Sequence, residues 1–264
     1  MQLREIDVGG HAVRHRVAGA GEPLVLVHGL SGSWRWWAPL VDLLSDSRRV
    51  YMVDLPRRRR TPELAQMATW LSRWLDAVGI GSADFAGHSL GGLFAAQLAA
   101  RHPSRVRRLV LVAPVGVSCG RGLSRRALPL VRTLYDIRSS LPMVVADAGR
   151  TGGAALARGV RFASRSDVRA ELSAVRAPTL LAWGEDDRLV PVRLAEDWQR
   201  FLPRTRVVRL RCGHVPMLEA PRALADAMLL FFAEELADDP GDEIRPRVVD
   251  RVGLGRHDDE PTAG

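Results

Sequence analysis

The chain has 264 residues, of which 47% are hydrophobic, enough to bury a full core in one α/β domain. Its formal charge of +8 would suit phosphate, but all 38 basic residues are arginine, scattered apart from the run Arg57–Arg60. No recognition helix, zinc finger or aromatic-basic platform accompanies them, so the skew reads as codon usage and no nucleic-acid partner is expected. Cys119 and Cys212 are the two cysteines, too few for a disulfide framework or a zinc site, so neither metal nor cofactor is expected. No apolar run of about 18 residues could span a membrane and the start has no apolar signal core, which places the chain in the cytoplasm.

Taken in order, Arg4–Val8 and Ala12–Val17 alternate in polarity around Gly9-Gly10 and predict an opening β-hairpin. Leu24–Val27 is continuously apolar, the mark of a strand covered on both faces of a parallel sheet, and it ends at His28-Gly29. A helix over Trp34–Leu44, a strand over Val50–Leu55, a helix over Leu64–Val78 and a strand over Ala83–Ala86 follow, the last running into Gly87-His88-Ser89. Leu93–Ala100 reads as a helix and Arg108–Ala113 as a buried strand ending at Pro114. From Val115 to Arg176 the pattern is helical and broken by Pro129, Pro142, Gly149 and Gly152-Gly153, with no strand. Strands return at Thr179–Trp183 and Arg206–Leu210, and a helix over Pro221–Leu236 closes the core. The expected layout is therefore a core of residues 1–114 and 177–236, a helical insertion at 115–176, and a loose polar tail at 237–264.

Gly87-His88-Ser89-Leu90-Gly91 has the form G-x-S-x-G between a predicted strand and a predicted helix, the setting in which a serine becomes an exposed nucleophile. Ser89 would stand at the positive end of the following helix. A serine hydroxyl needs a base, and seven histidines are available. His11 and His15 lie on the hairpin, His102 precedes Pro103, and His257 is in the tail. His28 suits a loop-holding hydrogen bond, and the elbow should turn His88 away from Ser89. His214 remains, just after the last predicted strand, at the sheet edge where active sites assemble. The base needs an acid to fix its tautomer, and Trp183-Gly184-Glu185-Asp186-Asp187 supplies carboxylates at the end of the preceding strand.

These residues resemble the α/β-hydrolase family over nearly the whole chain up to about Leu236. The family's strand-ending His-Gly looks like His28-Gly29, its elbow like Gly87–Gly91, and its acid turn G-x-x-D like Gly184-x-x-Asp187. That match implies Asp187 as the acid, with Asp186 as second choice. It also implies an oxyanion hole formed by the backbone amides of Leu30 and Leu90, a mostly parallel doubly wound sheet, and a cap at 115–176. One departure is that Asp54-Leu55-Pro56 runs into Arg57–Arg60, where similar members continue with a glycine-rich loop and a serine.

The expected function is a serine hydrolase of carboxylesterase type, in which Ser89, His214 and Asp187 cleave a small or medium acyl ester through an acyl-enzyme. The expected partner is a small-molecule substrate with an apolar acyl group, and an anionic one if Arg57–Arg60 borders the mouth. Trp34, Trp36 and Trp37 could wall the pocket, with helix packing as the alternative. A thioesterase, a hydrolase of carbon–carbon bonds and a cofactor-free peroxidase or oxygenase use the same triad. The rivals outside enzymology are a non-catalytic binding protein of the same fold and, less favoured by the scattered arginines, a basic nucleic-acid-binding protein. Oligomeric state is not legible in the sequence.

Overall fold

An apolar run with period two in a twice-covered sheet sends alternate residues to opposite cores, and β3 (Glu22–Val27) does so. Leu24 and Leu26 face one core and Val25 and Val27 the other, all four fully buried. The structure, a computed structural model, describes residues 1–56, 65–117, 137 and 140–234. The other strands are β1 (Gln2–Asp7), β2 (Ala12–Ala18), β4 (Arg48–Val53), β5 (Ala83–His88), β6 (Val106–Val112), β7 (Thr179–Gly184) and β8 (Thr205–Leu210). They form one sheet of order β1-β2-β4-β3-β5-β6-β7-β8. The hairpin β1–β2 and the β2–β4 pair are antiparallel, and every other pairing is parallel.

Helices cover both faces. Against one pack α2 (Met67–Val78), α3 (Leu90–Arg101) and α7 (Leu194–Gln199); against the other α1 (Ala38–Ser45) and α9 (Pro221–Ala233), the latter preceded by the short α8 (Pro216–Glu219). Between β6 and β7 the described residues carry α4 (Leu141–Thr151), α5 (Gly153–Arg165) and α6 (Arg169–Leu172). This is the α/β-hydrolase architecture expected from the sequence. No helix among the described residues is long and apolar enough to cross a membrane.

Some boundaries differ for identifiable reasons. The helix expected over Trp34–Leu44 is two pieces, a 3-10 turn at Trp34–Trp36 and then α1. Pro39 lies in the first turn of α1, where its missing N–H costs nothing but where it cannot extend a helix from upstream. β4 starts at Arg48, because parallel pairing with β3 begins at Glu22↔Arg48. β5 continues through Gly87 and His88, paired with Leu111 and Val112 of β6. α7 and α8, of six and four residues, were not expected, being too short for a legible period. Arg57–Arg60, Cys119 and the tail expected at 237–264 lie outside the described residues.

At the end of β5 away from Ser89, the fully buried Asp84 receives Arg48 at 2.9 Å and Arg107 at 3.4 Å. Burial outweighs the opposing charges of Arg48 and Arg108 and raises the Asp84 pKa from 3.8 to about 6. A carboxyl with a raised folded-state pKa contributes stability below the unfolded value that is lost as pH rises through the folded one. A difference of about 2 in pKa corresponds to about 3 kcal/mol. Unfolding free energies of wild type and Asp84→Asn, measured by denaturant titration between pH 4 and 7, should therefore converge or cross as wild type weakens towards pH 6. A constant difference across this range would show that Asp84 titrates normally.

Candidate active site

The turn from β5 into α3 places Ser89 at φ 52° and ψ −114°, outside the regions that side-chain-bearing residues favour. Neighbouring glycines make this possible. A Cβ on Gly87 would sit 2.5 Å from the Gly91 carbonyl oxygen, and one on Gly91 would sit 2.4 Å from the His28 oxygen. Backbone, not a flexible side chain, occupies both spaces. The Ser89 amide donates to Val112 O at 2.9 Å, while its carbonyl accepts from Leu93 at the start of α3. Its hydroxyl does not cap the helix, and the residue is only partly buried.

Two further strand ends, those of β7 and β8, lie on the same edge of the sheet. Asp187, in the turn after β7, accepts Leu189 N–H at 2.9 Å and Val190 N–H at 2.8 Å on Oδ1. Oδ2 faces His214 Nδ1 at 2.8 Å. Asp187 and His214 are both buried, whereas Glu185 and Asp186 are exposed. The carboxylate thus fixes the imidazole with Nδ1 as donor, which leaves Nε2 as the nitrogen able to take a proton. Gly184 sits between the two turns: a Cβ there would be 2.0 Å from Gly213 O. The nearby Cys212 thiol is buried, and burial together with Glu219 and Asp187 raises its pKa, so it stays protonated.

His88 points away from the elbow and beneath His214, donating its Nε2–H to the His214 carbonyl at 2.9 Å with ring centroids 4.9 Å apart. Burial, then the proximity of His214, holds the His88 pKa well below the usual histidine range, so it serves here as a neutral donor. His28 holds its loop as expected: Nδ1 donates to Gly29 O at 2.8 Å and Nε2 accepts Leu55 N–H at 3.0 Å. After it the chain turns sharply, with Gly32 N–H bonded to Gly29 O at 3.1 Å and Ser31 at φ 59°. A cleft of about 50 Å³ opens there, between Leu30, Leu90, Leu55, Met67 and Phe94 on one side and Thr151, Ala155 and Gly159 on the other. None of Trp34, Trp36 and Trp37 lines it. Trp37 is fully buried in the core, Trp36 packs against His88, and Trp34 lies under the Arg16 guanidinium.

The profile of the alpha/beta hydrolase family matches residues 24–227. The chain belongs to the α/β-hydrolase family. Within the α/β hydrolases it is 32% identical to the pimeloyl-[acyl-carrier protein] methyl ester esterase of Aromatoleum aromaticum, covering 76% of this chain and 94% of that one. It is 33% identical to the dihydrolipoyllysine-residue acetyltransferase component of the acetoin cleaving system of Cupriavidus necator over 72% of this chain, which spans 59% of that relative's length. A solved membrane phospholipase A superposes with a TM-score of 0.75 at 28% identity, covering 88% of this chain and 85% of that one.

In this α/β hydrolase the sequence-predicted Asp187 and His214 are brought into direct contact. Ser89, Leu90 and Leu30 lie at the adjoining ends of β5 and β3. Sequence reasoning missed Glu219. Its carboxylate accepts Gly213 N–H at 2.7 Å and Val215 N–H at 2.8 Å, gripping the backbone on both sides of His214. The available signal was Pro216 followed three residues later by an acid, the pattern of a helix start whose carboxylate folds back onto free amides.

Proposed function

We propose that the chain is a serine hydrolase that cleaves a small or medium acyl ester through an acyl-enzyme. The observation that carries this reading is the buried 2.8 Å contact of Asp187 with His214, on the sheet edge that also carries a strained Ser89 whose hydroxyl does not cap its helix. Ser89 Oγ attacks the ester carbonyl while His214 Nε2 takes its proton, and the tetrahedral oxyanion is held by the amides of Leu30 and Leu90. Collapse expels the alcohol, which leaves with the proton from His214. Water then attacks the acyl carbonyl as His214 removes its proton, and Ser89 departs with that proton as the acid is released. Asp187, through its contact with Nδ1, orients the imidazole and stabilises the imidazolium when it forms. Residues 1–114 and 177–236 serve as the catalytic core and 115–176 as a cap over it.

Ester chemistry is supported by the names of the relatives, an ester esterase and a phospholipase A. The apolar lining of the cleft suits an alkyl group, and its size suits a short one, since one water needs about 10–15 Å³ on the same measure. The test combines p-nitrophenyl esters of graded acyl length with a fluorophosphonate probe. Wild type should hydrolyse the short esters fastest and be labelled, whereas Ser89→Ala should do neither. Equal labelling of the two proteins would remove Ser89 from this role.

A further inference from the structure

The loop that carries Leu30 does not stand on the sheet alone. Ser33, four residues after Gly29, is buried, and its Oγ accepts Arg35 N–H at 3.3 Å while donating to Asp147 Oδ2 at 2.5 Å. Asp147 belongs to α4, is fully buried, and holds Arg150 at 2.6 Å and Arg35 at 3.7 Å on its other oxygen. One carboxylate thus joins a loop of the sheet to a helix from a segment 114 residues away. A second contact joins the same two parts. A Cβ on Gly159 of α5 would lie 2.3 Å from Leu30 Cδ1, so this glycine lets the helix seat directly on the Leu30 side chain. The loop also holds Ser31 in the left-handed region, a conformation that persists only where its surroundings enforce it.

We propose that Asp147 is a positioning residue through which the helices between β6 and β7 hold the Gly29–Ser33 loop, and with it the Leu30 amide, in the geometry that receives the oxyanion. The proposal rests on the ester-hydrolase reading for its catalytic consequence, though not for the anchor itself. A buried carboxylate with charged hydrogen-bond partners is costly to break from one side, and its loss frees both the helix and the loop. An amide donor displaced by even a fraction of an ångström loses more of its hydrogen bond to the transition-state oxyanion than to the ground-state carbonyl, so the rate falls while substrate binding is little altered.

The experiment measures two quantities in wild type, Ser33→Ala, Ser33→Thr, Asp147→Asn and the Ser33→Ala/Asp147→Asn double variant. Amide hydrogen exchange across residues 29–33 reports on the anchor, and kcat and KM for a short p-nitrophenyl ester report on its use. Exchange should quicken in Ser33→Ala and Asp147→Asn, with kcat lower by about 10- to 100-fold and KM changed by less than about threefold. The double variant should be no worse than the poorer single one, because both remove the same link. Ser33→Thr, which keeps the hydroxyl, should restore most of the rate. Unchanged exchange overturns the anchor. Faster exchange with unchanged kcat, or additive losses, overturns the positioning role. A wild type that turns over no ester and takes up no fluorophosphonate refutes the hydrolase reading and the catalytic role together, and exchange alone then decides the anchor.

Discussion

Asp187→Asn and His214→Ala should each lower kcat about 10⁴-fold, while Asp186→Asn should stay within about threefold of wild type. His214 Nδ1 meets an acceptor only in Asp187 among the three neighbouring acids, the other two being exposed. An asparagine at 187 can turn its amide NH₂ towards Nδ1, which then becomes the acceptor. The proton moves to Nε2, the nitrogen that the proposed mechanism needs free to take the Ser89 proton. The loss should appear in kcat and not in KM, since neither residue lines the apolar cleft. Steady-state kinetics on a short ester, with circular dichroism to confirm folding, provide the check. A damaging Asp186→Asn beside a mild Asp187→Asn would reverse the assignment.

The second large effect is expected at Gly184→Ala. Its Cβ would fall 2.0 Å from Gly213 O and 2.4 Å from Cys212 O, both backbone atoms that cannot swing aside. The end of β7 must then separate from the turn after β8, the two segments that carry Asp187 and His214. A loss of about 3 kcal/mol or more, or roughly 10 °C in Tm, should accompany a fall in kcat. Gly149→Ala provides the contrast. It lies within α4 with nothing near its added methyl, and should raise stability by up to about 1 kcal/mol. Thermal melts of both variants would test the pair, and a Gly184→Ala protein as stable and active as wild type would show that the two turns move apart freely.

The parts of this molecule that local chemistry determines could be read directly. Continuous apolar runs marked β3, β6 and β7, and the spacing of Gly87, Ser89 and Gly91 marked a turn that only glycine neighbours permit. His214 could be singled out because a strand ends just before it. What could not be read were contacts made between distant segments. Ser33 and Asp147 look like an ordinary serine and a helix-face acid until the fold brings together two positions 114 residues apart. Gly184 resembles any turn glycine until Gly213 arrives against it. Glu219 stands in a helix of four residues, too short to show a period, and its purpose depends on the path of the backbone before it. Of the two readings open for the tryptophans, pocket wall or helix packing, packing holds at Trp37, which is fully buried in the core.

β8 is the last strand of the sheet and pairs only with β7 among the described strands. His214 follows four residues beyond its end at Leu210, whereas Ser89 follows β5, which is flanked by β3 and β6. Ser89 and His214, the proposed nucleophile and base, are therefore mounted on parts of unequal durability. An edge strand opens in fluctuations far smaller than global unfolding, and a central strand does not. On warming, His214 should leave first, so that any activity that depends on it is lost reversibly in molecules whose centre is still folded. The same asymmetry orders refolding, in which the elbow can form as soon as the central strands pair and competence returns only when the edge has docked.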